Sequence, residues 1–137
     1  RRYRMEQIDV GDSVVRLEHG RLLYLVWNPG VRIDADNARA AMDAVNKVAN
    51  GQTYPLLVDM AAVTFLSRSA RNVFAQPCAA SRIALLGQSP VDRALVYYQL
   101  HTSPVPCPTR FFTSRSDALA WLAAKDEGAS TPLPAAS

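Results

Sequence analysis

The chain has 137 residues, of which 49% are hydrophobic and 20% charged, and its net charge is +3. This composition is typical of one soluble globular domain and excludes a disordered chain. No apolar run reaches the ~20 residues that a membrane-spanning helix needs. No signal peptide follows Arg1, so the sequence predicts a cytoplasmic protein without a membrane span.

Neither the basic residues nor the cysteines indicate a nucleic-acid or metal site. Nucleic-acid binding would require a basic stripe with interleaved aromatic side chains, and the sequence has none. Cys78 and Cys107 lie far apart, without CxxC or zinc-ligand spacing. We expect two reduced, buried cysteines that serve as small apolar residues, with a disulfide as the alternative. No cofactor or metal is implied.

The first regular elements form a β-hairpin. Residues 1–12 are charged and without pattern, which indicates either a flexible lead-in or an extra edge strand. Residues 13–18 and 21–27 are two apolar strands around the turn His19-Gly20. The second strand is more continuously apolar, as expected for an interior strand.

Helices and strands then alternate. Helices are predicted from apolar spacing and from capping residues at their starts. Asp34 or Asp36 can cap the first helix, which runs to Asn50. The later elements are a strand at 56–58, a helix from Ser67 to Pro77, a strand at 81–87, a helix from Ser89, a strand at 109–113 and a helix capped by Ser114.

The element order β-β-α-β-α-β-α-β-α predicts a single α/β domain at residues 13–124. Strands that alternate with helices form a mostly parallel sheet with right-handed crossovers. The hairpin makes the first strand antiparallel, at the edge of the sheet. Residues 125–137 are rich in small residues and proline, and we expect a flexible tail.

The stretch from Asp59 to Ala70 carries a resemblance to a known family. It reads Asp59-Met60-Ala61, then Val63-Thr64-Phe65-Leu66, then Ser67-Arg68-Ser69-Ala70. These segments lie without a gap over a pattern of Asp-Leu-Ser, Val-x-Phe-Ile and Asp-Ser-Ser-Gly. With this element order, the chain resembles the STAS or SpoIIAA-like family of anti-sigma-factor antagonists, and in particular bacterial members of unknown function. The segments Trp27-Asn28-Pro29-Gly30 and Pro108-Thr109-Arg110-Phe111-Phe112-Thr113 share this character.

The resemblance places an arginine where the regulatory members of the family are phosphorylated. Their phosphoacceptor is the first serine of Asp-Ser-Ser-Gly, and that position is Arg68 in this chain. A phosphate adds negative charge and can switch a partner interface, whereas an arginine has a fixed positive charge. Ser67 or Ser69 could substitute as phosphoacceptor. The alternative is that Ser67 caps the helix and Ser69 is exposed.

A candidate site is predicted at the carboxyl edge of the parallel strands, where four helices would begin. Helix N-termini favour anions, and arginines add charge-assisted donors. We therefore expect a site for an anion or an acidic partner, with ordinary helix capping as the alternative. The candidate residues are Ser67, Arg68, Ser69, Arg71, Ser89, Ser114 and Arg115, and Asn28, Arg32, Asp34 and Gln88 lie near the same edge.

No catalytic motif suggests an enzyme, and Asp59 at a strand end is interpreted as a brace for a nearby loop. The resemblance implies a non-enzymatic regulatory module that binds an unidentified protein partner, or a second copy of itself, through the second helix and its preceding loop. The alternative is a small-ligand or lipid-binding domain, since the fold is similar to the lipid-transfer CRAL-TRIO fold. Its pocket would be lined by Phe65, Phe74, Tyr97, Phe111 and Phe112.

Overall fold

The computed structural model describes residues 7–60, 65–74, 76, 78–87 and 107–124, without the side chains of residues 65, 66 and 71. The predicted helix from Ser89 and the predicted tail lie outside these residues. In chain order the elements are β1 (Gln7–Asp9), β2 (Ser13–Glu18), β3 (Leu22–Trp27), β4 (Arg32–Ile33), α1 (Ala35–Ala49), β5 (Tyr54–Asp59), β6 (Phe65–Leu66), α2 (Arg68–Phe74), β7 (Ala80–Leu86), β8 (Thr109–Phe112) and α3 (Arg115–Ala123).

Six strands form one sheet in the order β1-β2-β3-β5-β7-β8. The pairs β1/β2 and β2/β3 are antiparallel, and the three remaining pairs are parallel. The predicted mostly parallel sheet with an antiparallel edge is confirmed. The edge itself differs from the prediction, because β1 pairs outside β2. Of the two interpretations of the lead-in, the edge strand therefore holds for Gln7–Asp9.

The two faces of the sheet bury different cores. Side chains alternate between the faces along a strand, so Leu23, Leu25 and Trp27 of β3 join the core under α1 and α2. Tyr24 points the other way and is buried with Leu57 under α3. The prediction that β3 is an interior strand is confirmed, because both of its faces are covered.

The first helix was predicted to within one residue at each end because its limits are set locally. Asp34 is the N-cap and Asn50 the C-cap, with Asn50 in the left-handed conformation at φ 52°. Ala41, Val45 and Val48 are fully or almost fully buried, in agreement with the predicted apolar stripe. Among the described residues, no helix is long and apolar enough to cross a membrane.

The strand β5 includes Pro55, which was expected to bound it. The register of β5 against β7 shifts between Tyr54 and Pro55, and pairing with β3 starts only at Leu56. Proline has no N–H to donate, so it is tolerated at the beginning of a strand where a ladder bond is not required. The central part of β5, Leu56 to Val58, is buried as predicted.

Candidate functional site

A short parallel ladder brings the starts of α1 and α2 side by side. The strand β4 pairs with β6 through Arg32 opposite Phe65 and Ile33 opposite Leu66. The ladder continues into α2, because the Ser67 N–H donates to the Ile33 carbonyl at 2.9 Å. Each helix begins immediately after its short strand. Two of the predicted helix N-termini are therefore neighbours on the same face of the sheet.

The start of α1 is already occupied by its own side chains. The Asp34 carboxylate accepts from the Asn37 N–H at 3.0 Å, and the Asn37 side chain accepts from the Asp34 N–H at 2.8 Å. Asn37 also donates to the Asp12 carboxylate and to the Arg32 carbonyl. Asp36 adds a second acid to the first turn. This helix end therefore has little free donor capacity for an external anion, since carboxylates already complement its dipole.

The start of α2 has the opposite electrostatic character. Ser67 caps the helix, because its Oγ accepts from the Ala70 N–H at 3.0 Å. Arg68 and Ser69 follow and are exposed, and the first turn has no acidic residue. Arg71 lies in the same helix. The Arg68 side chain makes no hydrogen bond or ion pair with another residue of the described part of the chain. A positive charge is thus presented to solvent.

The start of α3 lies on the other face of the sheet, where side chains of the underlying strands contact it. The Ser114 Oγ accepts from the Asp117 N–H at 3.3 Å, which makes Ser114 the N-cap. Arg115 donates to the Asp59 carboxylate at 3.3 Å, and its guanidinium lies 5.2 Å from the centre of the Tyr24 ring. Asp59 at the end of β5 therefore holds the start of α3, in line with its interpretation as a brace.

The sheet thus divides the predicted candidate residues into two groups. Ser67, Arg68 and Ser69, with Arg71 in the same helix, start α2 on the face that carries α1. Ser114 and Arg115 start α3 on the opposite face. Gln88 and Ser89 lie outside the described residues. Asn28 and Arg32 precede α1, where the Asn28 side chain donates to the Gly11 carbonyl at 2.7 Å.

Two features of the site were not predicted. One is the Tyr24 ring, which both Arg115 and Arg16 contact, with the Arg16 guanidinium 4.6 Å from the ring centre. Arg16 also pairs with Glu18 at 2.8 Å. Side chains alternate along β2, so Arg16 lies on the face opposite to the apolar Val15. The sequence pattern could therefore have indicated which face of the sheet Arg16 occupies. Its pairing with Tyr24 depends on the β2/β3 register.

The second unpredicted feature is the β4–β6 ladder. Two strands of two residues each show no periodicity that a sequence pattern could reveal. Their pairing nevertheless decides which loops meet, because it joins the segment after β3 to the segment before α2.

Three aromatic residues of the predicted ligand pocket, Phe74, Phe111 and Phe112, take part in the cores. Phe74 packs edge-on against Trp27, with ring centres 6.4 Å apart, and Phe111 is buried. Phe112 packs against Trp121 on the α3 face. Tyr97 lies outside the described residues, so the ligand-binding alternative stays a prediction. Within the described part of the chain, no three His, Cys, Asp or Glu side chains come together to hold a metal ion.

Solved structures of low sequence identity share this fold. An uncharacterised protein of the DUF3478 family with a SpoIIAA-like fold, from Shewanella loihica PV-4, is 16% identical at a TM-score of 0.58. That comparison covers 80% of this chain and 91% of the other. An anti-sigma factor antagonist from Mycobacterium paratuberculosis is 17% identical at a TM-score of 0.57, over 85% of this chain and all of the other (100%). The predicted SpoIIAA-like fold is confirmed.

Sequence comparison gives the family itself. A protein of unknown function from Arthrobacter sp. FB24 is 50% identical over 81% of this chain and 99% of its own, at a TM-score of 0.34. No curated protein matches the chain. Residues 15–125 match a family described as a domain of unknown function, DUF7793, and this match spans most of the predicted domain. The chain therefore belongs to the DUF7793 family.

Proposed function

We propose that this domain is a non-enzymatic regulatory module that binds an acidic protein partner through α2 and the loop before it. The observation that carries the proposal is the exposed Arg68 at the start of α2, without an acidic residue in the same turn. A positive charge that no acidic side chain of the described residues neutralises can steer and orient an acidic partner.

The geometry of α2 supports this role. One side of the helix is anchored, since Ala70 is buried and Phe74 contacts Trp27. The outward side consists of the exposed residues Arg68, Ser69 and Asn72, which we call the α2 surface. The strand that directly precedes it, β6, is paired with β4. A polar surface on an anchored helix can bind a partner with little loss of conformational freedom.

The fold supports a regulatory role by analogy. One of the similar structures is an anti-sigma factor antagonist, and the likeness to it extends to the fold alone. Where the resemblance places a phosphoacceptor serine, this chain has Arg68. We infer that the α2 surface remains positive and that phosphorylation at this position does not regulate it. A cytoplasmic location belongs to the proposal and agrees with the two free cysteines.

Affinity capture from native lysate tests the partner surface. We expect Arg68→Glu to lower the recovery of the bound protein at least ~tenfold, because like charges at an interface cost several kcal/mol. Arg21→Glu is the matched control, since Arg21 is exposed in the β2–β3 turn at the opposite edge of the sheet. Equal recovery with wild type and Arg68→Glu would show that α2 is not the contact surface.

Two further measurements separate the kinds of partner. Light scattering of the purified domain over a concentration series detects self-association, which Arg68→Glu should weaken if the partner is a second copy. Titration with millimolar phosphate, followed by NMR, distinguishes a free anion from an acidic protein. Shifts confined to Ser67–Ser69 would indicate an anion site at α2, whereas a partner surface predicts no such shifts.

A further inference from the structure

The strand β1 lies at one edge of the sheet and pairs only with β2 among the described residues. In an antiparallel pair, positions that are hydrogen-bonded to the partner strand alternate with positions that are not. The Val10 N–H donates to the Ser13 carbonyl at 3.0 Å, so Ile8, two residues earlier, also bonds to β2. The N–H and C=O groups of Gln7 and Asp9 therefore point away from β2, towards the open edge.

This edge has no partner strand within the described part of the chain. Gln7 and Asp9 are exposed, and their outward backbone groups make no hydrogen bond with another described residue. The Asp9 carboxylate is engaged locally, since it accepts from the Gly11 N–H at 2.8 Å. Ile8 is half-buried against the core under α1. Free backbone groups beside an apolar residue form a template for pairing with a strand of another chain.

A second copy fits this edge about a two-fold axis. An antiparallel pair of β1 strands centred on Ile8 sets Gln7 of each copy opposite Asp9 of the other, and these are the residues whose backbone groups point outward. Two bonds at each of these two positions give about four N–H···O=C bonds. The two Ile8 side chains meet as a close cross-strand pair. Each copy uses the same residues, so the contact is isologous and closes at two copies.

The exposed side of α1 carries charges whose order agrees with this two-fold arrangement. The exposed residues Asp36, Arg39, Asp43 and Lys47 lie on one side of the helix, since successive residues turn by about 100°. Their signs alternate along the helix, so the order of charges is complementary to its own reverse. An antiparallel copy of α1 therefore brings Asp36 to Lys47 and Arg39 to Asp43.

These charges are little used within one copy. Asp36 and Arg39 are 3.8 Å apart, and the Asp36 side chain is 98% exposed. Asp43 and Lys47 are one helical turn apart, yet neither makes an ion pair or hydrogen bond with another described residue. The stripe is thus available to charges of the opposite sign on another chain.

The position of α1 brings this stripe near the proposed axis. Helix α1 packs on β1 and β2, and the Asn37 side chain donates to Asp12, in the turn between these strands, at 3.2 Å. Pairing of the two β1 strands sets the two β2 strands three strand spacings apart, roughly 14 Å. Two α1 helices above them run antiparallel at a distance that long side chains such as Lys47 can span.

We propose that the domain forms a homodimer through β1 and α1, in which two sheets join edge to edge and the α1 charges pair across the two-fold axis. The occupant of the open edge is a second copy because the strand register and the order of charges are both complementary to themselves. The interface contains no residue of the α2 surface, so it does not depend on the proposed function.

Charge exchange between copies tests the α1 contact. Analytical ultracentrifugation of the full chain over a concentration series gives the dissociation constant of the dimer. We expect Asp36→Lys and Lys47→Asp each to raise this constant at least ~tenfold, because like charges then meet at both symmetry-related contacts. An equimolar mixture of the two variants should form heterodimers with nearly wild-type affinity, since both opposite-charge pairs return. Arg68→Glu lies outside the interface and should leave the constant unchanged.

A proline variant tests the strand contact separately. Gln7→Pro should raise the dissociation constant at least ~tenfold, because proline cannot donate the outward hydrogen bond. Gln7→Ala keeps the N–H and is the matched control. Amide hydrogen exchange gives an independent measurement. The Gln7 and Asp9 N–H groups should be protected only at concentrations that populate the dimer, whereas the Ile8 N–H, bonded to β2, should be protected at all concentrations.

Three results would overturn the proposal. A chain that stays monomeric at millimolar concentration does not form this dimer. A dimer that Gln7→Pro leaves intact, or that Arg68→Glu dissociates, uses another surface. Failure of the Asp36→Lys and Lys47→Asp variants to associate with each other on mixing would exclude two-fold pairing of α1.

Discussion

The helices α2 and α3 begin with the same three residues, yet the structure uses their arginines differently. The two starts are Ser67-Arg68-Ser69 and Ser114-Arg115-Ser116, and in both the first serine caps the helix. Arg115 is held by Asp59 and by the Tyr24 ring, whereas Arg68 contacts no acidic side chain among the described residues. Identical local sequence thus produces an arginine with an acidic partner on one face of the sheet and, on the other face, an arginine that pairs with no acidic side chain of the described residues.

This difference arises from the strands beneath each helix. The start of α3 lies over the end of β5, where Asp59 comes two residues after the buried Leu57. The start of α2 instead adjoins β6, and the residue before its cap is the apolar Leu66. The role of each arginine is therefore decided by tertiary position rather than by the capping sequence.

The largest effect is expected where each helix rests on its core. Ala70 in α2 and Ala118 in α3 are both fully buried. Ala70→Leu and Ala118→Leu should each lower the free energy of unfolding by about 1–3 kcal/mol, because added methylenes overpack a filled core. Urea unfolding measures this loss. The exposed Ala120→Leu in α3 is the control, and an equal effect at that position would contradict close docking of α3.

The next effect concerns the caps that the two helix starts share. Ser67→Ala should cost about 1 kcal/mol of unfolding free energy, because the Ala70 N–H loses its acceptor in a part-buried position. Ser114→Ala should cost less, since its bond is longer and exposed. Ser69→Ala is the matched control in α2. Equal losses at Ser67 and Ser69 would argue against a capping role for Ser67.

A smaller effect distinguishes the two arginines directly. A double-mutant cycle with Asp59→Ala and Arg115→Ala should give a coupling energy of roughly 0.2–1 kcal/mol, because the Arg115 side chain is 48% exposed and water screens the pair. The same cycle with Asp59→Ala and Arg68→Ala should give none. Coupling of similar size in both cycles would mean that Asp59 also influences α2.

The smallest effect is expected at Arg68. Arg68→Ser, which restores the residue type of the family pattern, should change the free energy of unfolding by less than about 0.5 kcal/mol, as for exposed positions in general. Arg115→Ser should cost more in the same assay. A marked loss in Arg68→Ser would show that Arg68 has a structural role and would weaken its assignment as a partner contact.

The local signals predicted the three described helices and most of the described strands correctly. Caps such as Asp34 and Ser114 act within a single turn, so their sequence pattern is sufficient to place the helix start. The apolar residues of β2 alternate because one face of this strand is more buried than the other. The apolar run of β3 is continuous because both of its faces are covered. These features depend on residues close in sequence, and for that reason a pattern can reveal them.

The arrangement of the candidate site could not be derived in the same way. The contact of Arg115 with Asp59 joins residues 56 positions apart, and it exists because α3 packs on the face of the sheet opposite to α1. Patterns placed these residues at strand and helix ends, but only the sheet order shows which of them meet.

NMR relaxation of the arginine Nε–Hε groups tests the contrast between Arg68 and Arg115 most directly. We expect a restricted Arg115 side chain in wild type that becomes mobile in Asp59→Asn, and a mobile Arg68 side chain in both proteins. Equal order for the two arginines in wild type would contradict this contrast, because Arg68 would then be held as firmly as Arg115.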